Sequence, residues 1–281
     1  MRGERIIVFS HIPKTAGMTV QLLLRRHFGL RHLDLPKGFI YTEALLKRDL
    51  RLNPLVRSLA GHSLRPFVDF GALQDRLVWY TFLRDPVQRF ISHYQHAVEK
   101  EGVQTPFDVW LRAPANSNWH VRMLAGREDL ERAKEVLSQT VTCVGLMERF
   151  NESLLLIRHS LGIPELKLSY GVPRNTARRS DLRQRIRNEC DRHRAEVMER
   201  NALDGALYDY AVEVLYPAQV ERYGRQRLDE DLERAFSGRV STVPSAIRYW
   251  QSALFRKMFF LPITKVLGRR SGLALDGTPL S

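Results

Sequence analysis

Residues 5–19 read RIIVFSHIPKTAGMT. The apolar run RIIVFS predicts a buried strand. VQLLLRRHF, at 20–28, places Val20, Leu23, Leu24 and His27/Phe28 on one helical face, with Gly29 as its stop. Between strand and helix lies a tight turn with one glycine, one lysine and two threonines. Such a turn presents the helix's first N–H groups, which together with the helix dipole favour an anion. Gly17 would let the backbone approach a phosphate closely. Thr15 and Thr19 offer hydroxyl donors, and Lys14 a mobile charge. The loop reads as a phosphate cradle; taken alone, it reads equally as a surface turn with an incidental lysine. It is not a Walker A loop, which needs Gly-Lys-Ser/Thr, because no Gly-Lys pair occurs in the chain.

A second strand–helix unit is RLVWYTFL (76–83), then RDP, then VQRFISHYQHAVEK. Asp85 is placed to cap this helix and Pro86 to open it. TVTCVGL and NESLLLIRHSLG make a third unit, with Asn151 expected as a helix N-cap. Short helices are expected over 105–139. A charged helix is expected from Ser180 to about Arg200, and an amphipathic one over NALDGALYDYAVEVLY. Alternating strands and helices predict an α/β fold with a parallel sheet, which binds ligands at the carboxyl ends of its strands. Both PKTAGMT and RDP fall there. Arg84 can fork onto a phosphate, and Ser92 can donate to the same group. The alternatives are a salt bridge from Arg84 to a neighbour such as Asp85, and a helical serine bonded to its own backbone.

The 281 residues are 44% apolar and carry a formal charge of +13. A folded core is expected and global disorder is excluded. The charge suits an anionic partner without choosing one. Two cysteines, Cys143 and Cys190, suggest no disulfide framework. The apolar run 6–9 is too short for a secretory leader, and no run reaches transmembrane length, so a cytoplasmic protein is expected. No HExxH or CxxC spacing points to a metal.

HIPKTAGMT and FLRDPVQRFISHY together resemble the sulfotransferases that use 3′-phosphoadenosine 5′-phosphosulfate (PAPS). Within them the chain is similar to the carbohydrate branch that includes heparan sulfate 2-O-sulfotransferases and bacterial relatives. GHS (61–63), NWHVRMLAG (118–126), VGLMERFNESLLLI (144–157) and NALDGALYDYA (201–211) follow in order. The resemblance implies a P-loop-NTPase-like central parallel sheet flanked by helices, with a helical C-terminal extension beyond it. It implies that Pro13, Lys14, Thr15, Ala16, Gly17, Met18 and Thr19 bind the 5′-phosphosulfate and that Arg84 and Ser92 hold the 3′-phosphate. Lys14 then meets the charge that builds on the leaving oxygen. It implies His62 as the base for the acceptor hydroxyl, the alternative being a histidine that hydrogen-bonds loop backbone, and Arg178 and Arg179 as part of a loop closing over the nucleotide, the alternative being a solvated basic loop before a helix. His120 and Arg122 are candidates to line the acceptor groove. A glycan acceptor, PAP as product and no metal complete the expectation. A nucleotide-dependent kinase and a non-enzymatic basic binding protein are the competing readings; no nucleic-acid partner is expected.

A sulfotransferase domain is expected over 1–224 and a basic, aromatic extension over 225–281. Residues 238–270 hold seven Lys or Arg and no acid. Ile247, Trp250, Leu254 and Met258 share a helical face, and Pro262 is expected to interrupt the pattern. The segment reads either as a helix packed back on the domain or as peripheral membrane contact.

Overall fold

β1 (Ile6–Ser10) pairs in parallel on both edges and is buried along its whole length. The computed structural model that shows this describes residues 4–170, 180–236 and 243–266. After the lysine loop comes α1 (Gly17–Phe28), ended by Gly29 at φ 56°, a backbone that glycine tolerates. β2 (His32–Asp34), α2 (Glu43–Leu52) and β3 (Ser58–Gly61) follow. Next are β4 (Leu77–Leu83), α3 (Pro86–Glu101), and the short helices α4 (Phe107–Arg112), α5 (Trp119–Ala125) and α6 (Leu130–Glu135). β5 (Val141–Leu146) and α7 (Phe150–Ser160) close the sheet region. The sheet is wholly parallel, in the order β2-β3-β1-β4-β5. It is the α/β architecture expected, a central parallel sheet flanked by helices.

Two further strands, β2 and β3, lie between the first two strand–helix units read from the sequence. They are short, and polar groups hold them. Arg25 Nε donates to Asp34 Oδ2 at 2.6 Å, while His32 lies 3.1 Å from Asp34 Oδ1 and 3.0 Å from Ser58 Oγ. Burial pushes the Asp34 carboxyl up, but His32 and Arg25 outweigh it and hold the group at about 2. Asn151 is not the N-cap of α7. Phe150 already belongs to the helix, its ring 5.3 Å from that of Phe82, and Asn151 Oδ1 accepts from the Tyr170 hydroxyl at 2.6 Å.

The charged helix divides at His193 into α8 (Ser180–Arg192) and α9 (Arg194–Arg200). α10 (Ala202–Tyr210), α11 (Tyr216–Tyr223), α12 (Arg225–Phe236), α13 (Val243–Phe255) and α14 (Leu261–Val266) complete the chain. Wide π-turns at Ala211–Leu215 and Arg256–Phe260 each precede a helical proline, Pro217 and Pro262. The i→i−5 spacing gives a ring without an N–H room to continue the helix. Pro262 therefore does not break the segment as the sequence suggested.

Described residues after 224 contribute to the core. Leu228 and Phe260 are buried in the same cluster as β1. α13 lies along α1, where Arg248 Nη1 donates to the His27 carbonyl at 3.2 Å and the Arg25 guanidinium stands 5.5 Å from the Tyr249 ring centre. Arg256 Nε donates to the Asp34 carbonyl at 2.9 Å. Among the described residues no helix is long and apolar enough to cross a membrane.

Candidate active site

Strand register assembles the site. Ser10 lies opposite Gly61 of β3 and Thr81 of β4. Thr81 Oγ1 donates to the Ser10 carbonyl at 2.8 Å, and the His11 N–H to the Gly61 carbonyl at 3.2 Å. Residues just past these points therefore share one edge: His11 and Lys14 after β1, His62 after β3, Arg84 after β4. The chain leaves β1 toward β2 and later crosses from β3 to β4 on the other side. The crevice between the ends of β1 and β4 is thus the switch point at which such sheets bind ligands.

Lys14 and Ala16 hold φ of 71° and 65°, both left-handed. Alternation of this kind folds successive N–H groups into an anion-binding nest. Two strained non-glycine residues in one loop are typical of ligand clamps. Thr15 between them is buried, and its hydroxyl donates to the Ile12 carbonyl at 2.8 Å. The sequence reading of that hydroxyl as a ligand donor is corrected: it closes the turn, leaving the backbone as this residue's contribution. α1 begins at once, and the N–H groups of Gly17 and Met18, in its first turn, have no acceptor within the helix. Pro13 and Thr19 are half-buried beside them and Met18 is exposed.

Gly17 has a packing reason to be glycine. A Cβ there would overlap the imidazole of His11. The glycine makes room for the His11 ring packed against the loop. The His11 ring stacks on Phe9 at 5.2 Å and on His62 at 4.1 Å. His11 is a support of the loop.

His62 Nδ1 lies 2.6 Å from the His11 carbonyl oxygen. A carbonyl only accepts, so Nδ1 carries the proton and Nε2 keeps its lone pair. Burial lowers the His62 pKa, the bond to His11 opposes this, and the charges of Arg65 and Lys37 lower it further. The imidazole is therefore held neutral with one nitrogen ready to accept a proton. Arg65, two residues after the GHS stretch and not singled out from sequence, is buried beside Met123 with its pKa lowered to about 10 by desolvation.

Arg84 Nη1 donates to the Lys14 carbonyl at 3.2 Å, so the two phosphate motifs touch. Among the described residues Arg84 forms no ion pair with Asp85. Asp85 instead caps α3, accepting from the Gln88 N–H at 2.8 Å, with Pro86 in the first turn. Burial lowers the Lys14 pKa, and the Arg84 charge lowers it further. Two cations brought together this way await an anion. Ser92 is half-buried on α3, two turns beyond Arg84.

His120 does not line an open groove. It is fully buried, because Asp204 of α10 accepts the N–H groups of His120 at 3.0 Å and Val121 at 2.9 Å and so draws in the start of α5. Asn118 and Asn201 complete this clamp: Asn118 N–H donates to Asn201 Oδ1 at 3.2 Å, and Asp204 N–H to Asn118 Oδ1 at 3.3 Å. Arg122 is exposed and donates to the Pro114 carbonyl at 3.0 Å. Arg89, missed from sequence, is fully buried; Nη2 donates to the Asn116 carbonyl at 3.2 Å, while Nε and Nη1 meet no acceptor among the described residues. Its spacing, three residues before Ser92 on α3, was the available signal. Arg178 and Arg179 lie outside the described residues.

An α/β sheet with a cationic nest at its switch point and a neutral imidazole beside it suits an anionic ligand. The family model described as "Sulfotransferase family" matches residues 1–211, and the chain belongs to that family. It is a transferase of sulfuryl groups. Comparison with curated proteins finds no match. The matched span ends just after α10, leaving α11–α14 beyond it.

The Gly17 geometry inverts an ordinary expectation. Helix propensity alone favours Gly→Ala by about 1 kcal/mol. Gly17→Ala is expected instead to lower the melting temperature and weaken anion binding, because His11 must move. A stabilised variant with intact binding would refute the packing argument.

The buried histidines set the response to acid. Burial is the main cause in both, lowering His120 to about 4 and His93 to about 3. For His120, Asp204 opposes the shift while Arg89 adds to it. Both folded values lie below the unfolded value of about 6.5, so the unfolded chain binds more protons between them. Stability is complete above pH 6.5 and falls as pH drops toward 4. His120→Asn is expected to remove roughly 1–2 kcal/mol of the loss between pH 7 and pH 5. Parallel denaturant titrations at the two pH values measure it; an unchanged difference would exclude His120 as a contributor.

Proposed function

We propose that this protein moves the sulfuryl group of PAPS to a hydroxyl of a carbohydrate acceptor. The observation that carries the proposal is the meeting of Lys14, Arg84 and His62 at one sheet edge, with His62 locked as the tautomer whose Nε2 accepts. The nest and the α1 start suit the 5′-phosphosulfate, and Arg84 with Ser92 suits the 3′-phosphate. Their cations fit a ligand carrying several negative charges without a metal.

The donor supplies an activated sulfur joined to phosphate through an oxygen. His62 Nε2 takes the proton of the acceptor hydroxyl as its oxygen attacks that sulfur. The sulfur–oxygen bond to phosphate breaks, and Lys14 stabilises the charge left on the phosphate oxygen. The product is the sulfate ester, with PAP as leaving group and the proton on His62. A sugar is favoured as acceptor because the motifs resemble the carbohydrate branch and because the +13 charge suits an anionic glycan.

Calorimetry tests the donor. PAP is expected to bind without added metal and at least about tenfold more tightly than ATP, a gap of about 1.4 kcal/mol. Arg84→Ala should erase most of that gap. Equal affinity for ATP with Mg²⁺ would instead favour a kinase.

Kinetics tests the roles. Lys14→Ala is expected to lower kcat by about a hundredfold or more, as does loss of other transition-state donors. His62→Ala should abolish transfer while PAP still binds. In the wild type, activity should fall as pH drops through a value below 6.5, the direction in which burial moves His62. An acid limb at or above 6.5, or full activity in His62→Ala, would remove His62 from the chemistry.

A further inference from the structure

The segment 243–266 turns two different faces to its surroundings. Its inner face is fixed to the domain: Ser252 and Phe260 are buried, and Arg248 and Arg256 bind the backbone of α1 and β2. The outer face carries Ile247, Trp250, Leu254, Met258, Phe259 and Ile263, each between 41% and 68% exposed. These are large apolar side chains at helical spacing on a helix already docked. The domain has no use for them as core. Single exposed apolar residues are ordinary, but six along one helical run mark an interaction face.

We propose that this face docks the protein on an anionic lipid surface. Three observations choose the occupant. First, the stretch 238–270 holds seven Lys or Arg and no acid. An apolar face with tryptophan and phenylalanine, set in a purely cationic segment, is the pattern of a helix lying in the plane of a membrane interface. Second, Trp250 is the most exposed of the six, at 68%, and its amphipathic indole favours the headgroup level of a membrane interface. Third, a second copy of the chain would bring two such cationic segments together, on molecules that each carry +13. Anionic headgroups remove that repulsion.

The orientation gives the contact a use. α1 descends from the lysine loop to the far side of the sheet, so His27 marks that far side. Asp34 ends β2 at the edge shared with His11 and His62. Running from Arg248 beside His27 to Arg256 beside Asp34, α13 climbs toward the site edge. A lipid surface on its outer face lies alongside the site mouth, where a lipid-linked acceptor would be presented. That last step rests on the proposed function; the docking itself does not.

The test uses the full chain and needs no activity. Vesicles of phosphatidylcholine with phosphatidylserine should sediment the protein, phosphatidylcholine alone much less, and added salt should weaken the contact. The triple variant Trp250→Gln, Leu254→Gln, Phe259→Gln should partition at least about tenfold less. Its melting temperature and PAP binding should stay unchanged, since all three side chains face solvent. Independently, brominated lipid should quench tryptophan emission in the wild type, and Trp250→Phe should remove most of the quenching, since Trp79 is buried in the core and Trp110 and Trp119 are half-buried on α4 and α5. Equal sedimentation of the triple variant would overturn the proposal. So would absence of quenching, or a solution dimer that the triple variant splits in the absence of lipid.

Discussion

Ser10 is the position on which the rest of the molecule is aligned. β1 is hydrogen-bonded on both edges, and the two registers meet at this residue. A slip of one residue on either side would turn every side chain of the partner strand to the other face. It would also part His62 from His11, or Arg84 from Lys14. The alignment is strongly specified because β1 and β4 are buried on both faces and tolerate no exchange of inside for outside. Thr81, whose hydroxyl closes on the Ser10 carbonyl, fixes the last step of that register from within the sheet.

The site edge concentrates positive charge and neutral imidazoles, with few carboxylates to balance them. Lys14, Arg84, Arg65 and Arg89 all have their pKa values lowered, with desolvation the first cause in each. His11 and His62 are lowered for the same reason, and each lies near one of these cations. Burial and like charge act together here: both favour the uncharged imidazole, and both leave the cations short of partners. Glu148 is the nearest counterweight, but it is committed, accepting from the Asp85 N–H at 3.0 Å and the Tyr208 hydroxyl at 2.7 Å.

Much of this was legible in the sequence because it rests on local signals. RIIVFS, RLVWYTFL and TVTCVGL announce themselves as buried strands, and Asp85-Pro86 as a helix start. The carboxyl-edge placement of Lys14 and Arg84 follows from strand–turn–helix order alone. β2 and β3 were less legible, being three and four residues long and held by side-chain polar bonds rather than by an apolar pattern. Gly17 has a packing reason that the sequence did not report, since the ring that fills its Cβ space belongs to His11, six residues earlier. His120 was misplaced because its burial depends on Asp204, which lies 84 residues further on. No periodicity reports a capping carboxylate supplied from such a distance.

Arg89 joins the two halves of this account. Its guanidinium is buried within α3, near Asp204 on one side and Arg84 on the other, and has one backbone acceptor. A fully satisfied buried arginine would only brace the helix. This one keeps two donor nitrogens without an acceptor among the described residues and adds its charge behind Arg84. An unbalanced buried charge is costly in the free protein. A ligand bearing several negative charges at the Lys14–Arg84 crevice offsets that cost electrostatically, even without touching Arg89, because the interior screens poorly. Such an anion would supply counter-charge that Arg89 Nε and Nη1 do not find among the described residues, and its binding would be linked to stability through the field of the whole edge.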